Sequence, residues 1–544
     1  MSTIPRDPAT TESPGVVSES ADGTGRLDGA SRGRIFAVLA VIVLFTEVAP
    51  MQYTIVAAAL QKIAPTFPGV GANINWAIIV FGLIGAAASP LIGKMSDVWG
   101  KKRMFLVCGV LFMLGCALDA ITSNWALFLL GRGLQATAIA TAVIAYGLIR
   151  DLMPRKYVPI GLGITATGLG LSAIAGPLLG GFLVDNYSWR AIFWCLAGFT
   201  LLMLPLVYFV VPESKLRVPE RIDVVGAVLL SAGAGLTLIY LDKGQDWGWS
   251  RPTTLAWLAA GLVLIVLFVV IENRVSRPIM DMRLLFHPRV ALVLAGALFA
   301  SFLIGVQSYA LGYMTQTPDQ ATVTAGVQQA TLAHIQQQTG QPIPAEAVQV
   351  TLDPGYTYGN GYTLLEFAVR IALLQAVLAM LCGALAGALA RRIGARLPLI
   401  VALALFVGAG VCYAVLPHTW VTFLWVSAAF GIGFGFYYAA MPILMVEAVP
   451  QEQQGISLGM LGVMQSMGVA IGLAIVTAFL NASPMRALVS VAGQPAPPSP
   501  VPGIFGDHGY ELGFWVAAGA SALALLIAVV MRHGRTPATG GSAY

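Results

Sequence analysis

The sequence predicts an all-α membrane protein of fourteen transmembrane helices. Two six-helix bundles (spans 1–6 and 9–14) flank two inserted spans (7 and 8), and both termini are cytoplasmic. Three observations carry that expectation. Of 544 residues, 57% are hydrophobic and only 10% charged, whereas a soluble domain carries roughly a quarter charged residues. Apolar runs of about 20 residues recur along the chain, each long enough to cross ~30 Å of hydrocarbon as a helix. Lysine and arginine gather in alternate loops, the habit of loops on the cytoplasmic side.

The runs fall at 35–60, 74–93, 103–122, 125–149, 158–184, 190–211, 222–241, 254–272, 289–313, 363–389, 397–416, 420–446, 455–481 and 511–531. Ahead of them, residues 1–33 are polar and rich in Ser, Thr, Gly and Pro, and read as a disordered cytoplasmic tail with no cleavable signal. Residues 34–211 form an N-terminal six-helix bundle and 212–288 the two inserted helices with their cytoplasmic linkers. Residues 289–532 form the C-terminal six-helix bundle, and 533–544 a tail. The orientation comes from the bases. Arg32 and Arg34 precede span 1; Lys94, Lys101, Lys102 and Arg103 join spans 2 and 3; Arg150, Arg155 and Lys156 follow span 4. Lys215, Arg217 and Arg221, then Arg274, Arg277, Arg283 and Arg289, then Arg391, Arg392 and Arg396 continue the alternation, and Arg532 and Arg535 close it. The net charge of +5 is thus a topology signal, and no nucleic-acid partner is expected. Cys108, Cys116, Cys195, Cys382 and Cys412 lie in or beside spans without ligand spacing, and the histidines scatter over loops, so neither a metal nor another cofactor is expected.

The stretch "GKMSDVWGKKR" (93–103) concentrates charge in this apolar chain. Its bases hold a turn on the cytoplasmic side, and Gly93 and Gly100 permit a tight reversal with close helix approach. Topology does not account for Asp97, because acids contribute little to orientation. An acid at a helix end beside three cations points to a specific pairing, a cap or a latch that breaks during motion. The pattern also repeats. Gly387 and Gly394 share the spacing of Gly93 and Gly100, while Asp151, Pro154, Gly163 and Gly176 match Glu447, Pro450, Gly459 and Gly472 at one common offset, as two related bundles would.

These segments resemble the major facilitator superfamily, specifically its fourteen-helix drug:proton antiporter branch. "GKMSDVWGKKR" is similar to the family's loop motif through Gly93, Asp97, Gly100, Lys101 and Lys102, with Val98 where a base is usual. "GRGLQA" resembles the helix 4 motif through Arg132 and Gln135, with Ala136 replacing a glycine. "GLGLSAIAGPLLGG" resembles the antiporter motif of helix 5 through Gly168, Gly176, Pro177, Gly180 and Gly181, with Ser172 replacing a glycine. "YTIVAAALQKI" resembles the helix 1 motif through Thr54, Ile55, Val56, Ala59, Leu60 and Ile63. The resemblance implies a secondary transporter that exports its substrate by alternating access, needs no cofactor and uses the proton as coupling ion. It also implies that Arg132 takes part in proton transfer by tuning a nearby carboxylate.

One departure stands out. Gln52 occupies the place of the family's helix 1 aspartate and cannot exchange a proton at neutral pH. The nearest intramembrane acid is Glu47, near the middle of span 1 and about 140° around the helix from Gln52. It is either the coupling carboxylate or a neutral, hydrogen-bonded structural acid. Arg132 is correspondingly either a proton-transfer partner or an arginine whose head snorkels to one end of its helix. Glu366 and Arg370, four apart, are expected to pair with each other.

Polar and soft side chains mark a cavity between the bundles: Tyr53, Gln135 and Tyr146 from the first half, and Gln307, Tyr309, Gln375, Tyr437, Tyr438, Met441, Met445, Met464 and Gln465 from the second. Such a lining repacks around varied amphiphiles, so the expected substrate is a small hydrophobic or amphipathic molecule. Residues 315–362 form an extracytoplasmic extension without Lys or Arg. Within it "TAGVQQATLAHIQQQTG" reads as a helix and "VQVTLDPGYTY" as a hairpin about Asp353-Pro354-Gly355, and the segment is a candidate docking surface for an extracytoplasmic partner. The proline-rich "GQPAPPSPVPG" ahead of the last span reads as extended. The expectation is therefore a monomeric multi-pass exporter in the inner (cytoplasmic) membrane, in contact with lipid. An exporter of lipids or cell-envelope precursors is the alternative. A membrane-embedded enzyme or receptor would need a catalytic constellation or a large soluble domain, and the sequence has neither.

Overall fold

The computed structural model describes residues 27–154, 157, 172, 174–215, 224–275, 282–340, 344–449 and 454–537. The first 26 residues, Gly163, Gly168, Pro450 and the bases Arg155, Lys156, Arg217, Arg221 and Arg277 lie outside them. The first span is broken in the middle: α1 (Arg32–Thr46) gives way to α2 (Val48–Ile63) at Glu47. Pro50 has no N–H to offer the carbonyl of Thr46, and Thr46 Oγ1 bonds back to Ile42 O at 2.8 Å, so the helical ladder parts there. Next come α3 (Trp76–Trp99), α4 (Lys101–Ile121) and α5 (Trp125–Gln135). Gly100 reverses the chain between α3 and α4 with φ at 117°, a backbone state closed to other residues without strain. A 3-10 turn (Ala136–Ile139) links α5 to α6 (Ala140–Leu152) within one span; α7 follows at 174–186, then α8 (Trp189–Val210).

The second half runs α11 (Met282–Leu285), α12 (Pro288–Gln316), α13 (Gln320–Thr339), α14 (Leu364–Phe367), α15 (Leu373–Ile393), α16 (Arg396–Val415), α17 (Trp420–Val446), α18 (Gln454–Ala482) and α19 (Asp507–Val530). A π turn (Ala368–Ala372) joins α14 to α15. Between the halves, α9 (Val224–Trp247) and α10 (Pro252–Glu272) pack on each other, and α9 touches both α3 and α18. Among the described residues twelve helical stretches are long and apolar enough to cross a membrane. The apolar part of α9, Val228–Leu241, is shorter. Side chains such as Leu202, Trp425 and Phe209, the last 81% exposed, give the bundle an apolar outer surface that suits lipid.

Hydrogen bonds clasp the two halves at the end opposite the basic loops. Gln61 Nε2 donates to Thr317 Oγ1 at 2.9 Å and Gln316 Nε2 to Ala58 O at 2.8 Å. Asn75 Nδ2 donates to Thr477 Oγ1 at 2.7 Å, Asn481 Nδ2 to Asn73 Oδ1 at 2.9 Å, and the Leu365 amide to Asp185 Oδ2 at 2.9 Å.

A small sheet covers the same end. β1 (Val348–Asp353) pairs antiparallel with β2 (Pro484–Val491), which also pairs with β3 (Gln494–Pro495) and β4 (Ser499–Phe505). The hairpin expected about Pro354 does not form. Alternation of Val348, Val350 and Leu352 defines a one-sided strand without saying which strand it joins. Its partner is the loop before α19, in register from Val348 opposite Val491 to Asp353 opposite Arg486. The chain after Asp353 turns inward, and Tyr358, fully buried, donates from its hydroxyl to Phe505 O at 2.7 Å. The expected helix is present as α13, capped by Asp319, whose bonds from Thr322 hold its carboxyl below the ordinary value. Between α16 and α17, His418 bonds to Tyr413 O at 2.9 Å and approaches Asp507 at 3.7 Å. Burial opposes its charge, but Asp507 and that carbonyl outweigh it and raise the imidazole above its usual value.

Candidate functional site

Charged and polar side chains gather in three groups. At the basic end, Lys101 begins α4 almost wholly buried, with its Nζ 2.7 Å from Asp97 Oδ1 and 3.1 Å from Asp151 Oδ2. Gly147 leaves room for the lysine stem, which a Cβ there would crowd at 2.7 Å from Cε. Asp151 is held further by Ser214 Oγ at 2.8 Å and Arg150 Nε at 3.3 Å. Glu213, after α8, accepts from the backbone amides of Lys102 at 2.9 Å and Arg103 at 3.3 Å, an acid seated on the positive end of α4. Lys102 Nζ donates to Tyr208 O at 2.5 Å. Asp97, Lys101 and Lys102 are therefore drawn, about the Gly100 turn, into one charged knot joining α3, α4, α6 and the end of α8, while Gly93 faces Val143 of α6. Sequence reasoning missed Glu213 and Ser214. The single signal for them was an acid closely following span 6 amid basic residues.

The second group surrounds Glu47. Ser172, ahead of α7, donates its hydroxyl to Glu47 Oε2, while Glu47 Oε1 is buried without a hydrogen-bond partner. The glycines of α7 bring it against the first span. A Cβ at Gly176 would overlap Thr54 Oγ1, and one at Gly180 would lie 2.8 Å from Ile55 Cγ2. Gly181 faces the other half instead, where a Cβ would lie 2.5 Å from Leu365 Cα. Pro177 is buried between them.

The third group gathers Arg132, Gln135 and Gln52, all singled out in the sequence, about Asp119, which was not. Arg132 is fully buried, so its head reaches neither membrane surface. Its Nε donates to Ala77 O at 2.8 Å, its Nη1 to Gln135 Oε1 at 2.7 Å, and its guanidinium lies 4.9 Å from the Phe81 ring centre. Gln52 Nε2 donates to the same Gln135 oxygen at 2.6 Å. The Gln135 amide then donates from Nε2 to Asp119 Oδ2 at 2.8 Å. Asp119 occupies the last turn of α4, where an acid reads as a solvent-facing helix end. Its clue was the absence of any nearby cation in sequence.

The expected cavity residues divide. Tyr146 and Tyr438 are 39% and 37% exposed, and Tyr53 and Tyr438 are within electrostatic reach across the bundles. Gln375, Met464 and Gln465 are half-buried beside them in the second half; Gln375 accepts from Gln307 at 2.9 Å and Gln465 donates to Tyr437 Oη at 3.2 Å. Gln135, Tyr309, Tyr437, Met441 and Met445 are instead fully packed and line no space here. Tyr437 is fixed by Ser301 at 3.0 Å, and Tyr309 stacks against Tyr313 at 4.9 Å. Glu366 and Arg370 pair at 3.3 Å.

Known proteins give this geometry its setting. The family model described as Major Facilitator Superfamily matches residues 42–473. The Multidrug resistance protein Stp of Mycobacterium tuberculosis is 25% identical over 431 residues, covering 79% of this chain and 72% of that protein. The Tetracenomycin C resistance and export protein of Streptomyces glaucescens is 30% identical over 54% of this chain and 56% of its own length. An uncharacterized MFS-type transporter of Bacillus subtilis, YvkA, is 29% identical, and the chain spans 55% of it. Among solved structures, a peptide transporter in complex with sulfate superposes with a TM-score of 0.58 at 14% identity, covering 91% of this chain and 93% of that one. The human organic anion transporter MFSD10 gives 0.55 at 15%, covering 91% and 99%. The superpositions show a shared fold, and the family match together with the membrane-length helices makes the chain a multi-pass transporter, in keeping with an inner-membrane location. The chain belongs to the Major Facilitator Superfamily.

Proposed function

We propose that this chain exports small hydrophobic or amphipathic molecules in exchange for protons, by alternating access, as a member of the fourteen-helix drug:proton antiporter branch. The observation that carries the reading is Glu47, a partly buried carboxylate at the break of the first span, bonded to Ser172 and close to the cavity-lining Tyr146. An acid at that depth persists where its proton is useful. Relatives whose names state multidrug resistance and antibiotic export support the substrate class. The helices α7 and α9 support two spans beyond the twelve long ones, and the basic end is read as cytoplasmic with both termini there. The clasp at the far end and the charged knot at the basic end are the two contacts that such a cycle would open and close in turn.

The test uses full-length protein in proteoliposomes with an imposed pH gradient and ethidium as the probe. Glu47→Gln keeps shape and fixes the neutral state, so gradient-driven ethidium flux should be lost while ethidium binding persists. Unchanged pH dependence of flux in that variant would move coupling away from Glu47.

A further inference from the structure

We propose that Asp119 is a second proton-binding site of the transport cycle, separate from Glu47, seated in a cradle formed by Gly131 and read by Gln135. The inference rests on the proton-coupled reading above. Asp119 is fully buried, and while Oδ2 accepts from Gln135, Oδ1 has no hydrogen-bond partner. Room for that bare oxygen exists because residue 131 is glycine: a Cβ there would overlap Oδ1. Gly115, one turn earlier on α4, likewise lets α5 approach, since a Cβ there would lie 2.9 Å from Gln135 Cγ. Close packing of two helices is thus arranged around a carboxyl group rather than around an apolar side chain.

The orientation of Gln135 is fixed by its other neighbours. Its amide oxygen receives two donors, Gln52 and Arg132, so its NH2 must face the acid. The charged and titratable groups about Asp119 are Arg132 on α5, Cys116 one turn before it on α4, and Tyr53 on α2, all within electrostatic reach of the pair. Arg190 on α8 lies beyond, engaged with Thr122 O at 3.1 Å and Ser123 Oγ at 2.8 Å where α4 ends.

A carboxylate sealed from solvent with one oxygen bare is costly within a membrane, and the neutral acid costs much less. The clasped state therefore holds the protonated carboxyl. Asp119 lies in the last turn of α4, at the same end as the clasp. Separation of Asn75 from Thr477 and of Gln61 from Thr317 would admit water there, and the carboxyl would exchange its proton with that water, leaving a carboxylate balanced by Arg132 through Gln135. Closing the clasp on the reprotonated acid seals it again. Gln52 ties this event to α2, the half of the broken span that follows Glu47.

The experiment takes full-length protein in lipid nanodiscs and records infrared difference spectra across a pH titration, alongside ethidium binding and gradient-driven ethidium flux. The wild type should show the C=O band of a buried, protonated carboxyl that Asp119→Asn removes and Glu47→Gln leaves. Asp119→Asn should retain ethidium binding and lose gradient-driven flux. Gly131→Ala, which crowds Oδ1 without touching the carboxyl's chemistry, should shift the same band. It also serves if the asparagine variant does not fold, since an unshifted band there overturns the proposal. A band that survives Asp119→Asn, or unchanged flux in that variant, overturns it too while Glu47 can still carry coupling. If the band disappears as expected but wild-type flux ignores the gradient, the proton-coupled reading fails, and the transport role of Asp119 fails with it.

Discussion

Asp97 and Asp151 share one lysine, and the two acids are not equivalent. Asp151 is buried with Lys101, so removing the lysine would leave a buried carboxylate with only the exposed Arg150 and Ser214 beside it, a break that costs up to roughly 3–5 kcal/mol. Asp97 is 40% exposed at its side chain, and its loss leaves Lys101 still paired with Asp151, so little stability depends on it. Asp97→Asn should therefore insert and melt like the parent while its flux falls about ten-fold, the scale of one lost coupling contact. Parent-like ethidium flux in that variant would show the pair to be ornamental. Charges set in apolar runs were readable in the sequence for this reason: each needs a partner, and Asp97, Glu47 and Arg132 all advertised one. Asp119 escaped because a terminal turn is the ordinary place for an acid. Ser172 stood out merely as a departure from a glycine pattern, yet it is the hydroxyl that binds Glu47. What neighbours an acid across the bundle is tertiary information, and one chain without relatives aligned to it does not carry that.

Helices show the same division between what periodicity and length dictate and what packing decides. Run lengths located the spans, but not the break at Glu47, which follows from Pro50, nor the 3-10 turn at Ala136–Ile139 and the π turn at Ala368–Ala372. The glycines of α7 were legible as a contact face, though not which element they touch. The contacts now make a sharp demand: a side chain at Gly176 must displace Thr54, which also bonds to Met51 O at 2.9 Å. Gly176→Leu should hold α7 off α2 and halt exchange between the two access states, with protein still present in the membrane. Pairing Gly176→Ala with Thr54→Ala should return much of the flux, because the second change removes the overlapping hydroxyl. Cysteines placed at Gln61 and at Lys94 report the two ends. If their labelling still alternates with the pH gradient in Gly176→Leu, the α7–α2 contact is not a seal.

At the scale of the whole molecule, the cap at the clasped end unites two loops far apart in sequence. A flexible insertion of this length costs little to close, so composition alone implies that it can be cut out without harm. The pairing argues otherwise. Removing residues 320–358 would strip β1 from β2, leaving one edge of Arg486–Val491 unpaired, and would uncover the buried ring space that Tyr358 fills against Phe505 and Tyr510. Each large apolar side chain so lost is worth about 1.5–3 kcal/mol of burial, and the freed strand edge adds to that. Replacing 320–358 by a short Gly-Ser linker should thus lower the melting temperature measurably, and gradient-driven ethidium flux should fall with it. A narrower replacement of 330–339, at the exposed end of α13 where no side chain is fully buried, keeps β1, Tyr356 and Tyr358 in place. That variant should melt like the parent. If it also transports like the parent, the sheet and its tyrosines sustain function from this end and the outer half of α13 is dispensable. Equal melting of the parent and the long deletion would mean instead that β1 and Tyr358 add no stability to the bundle they cover.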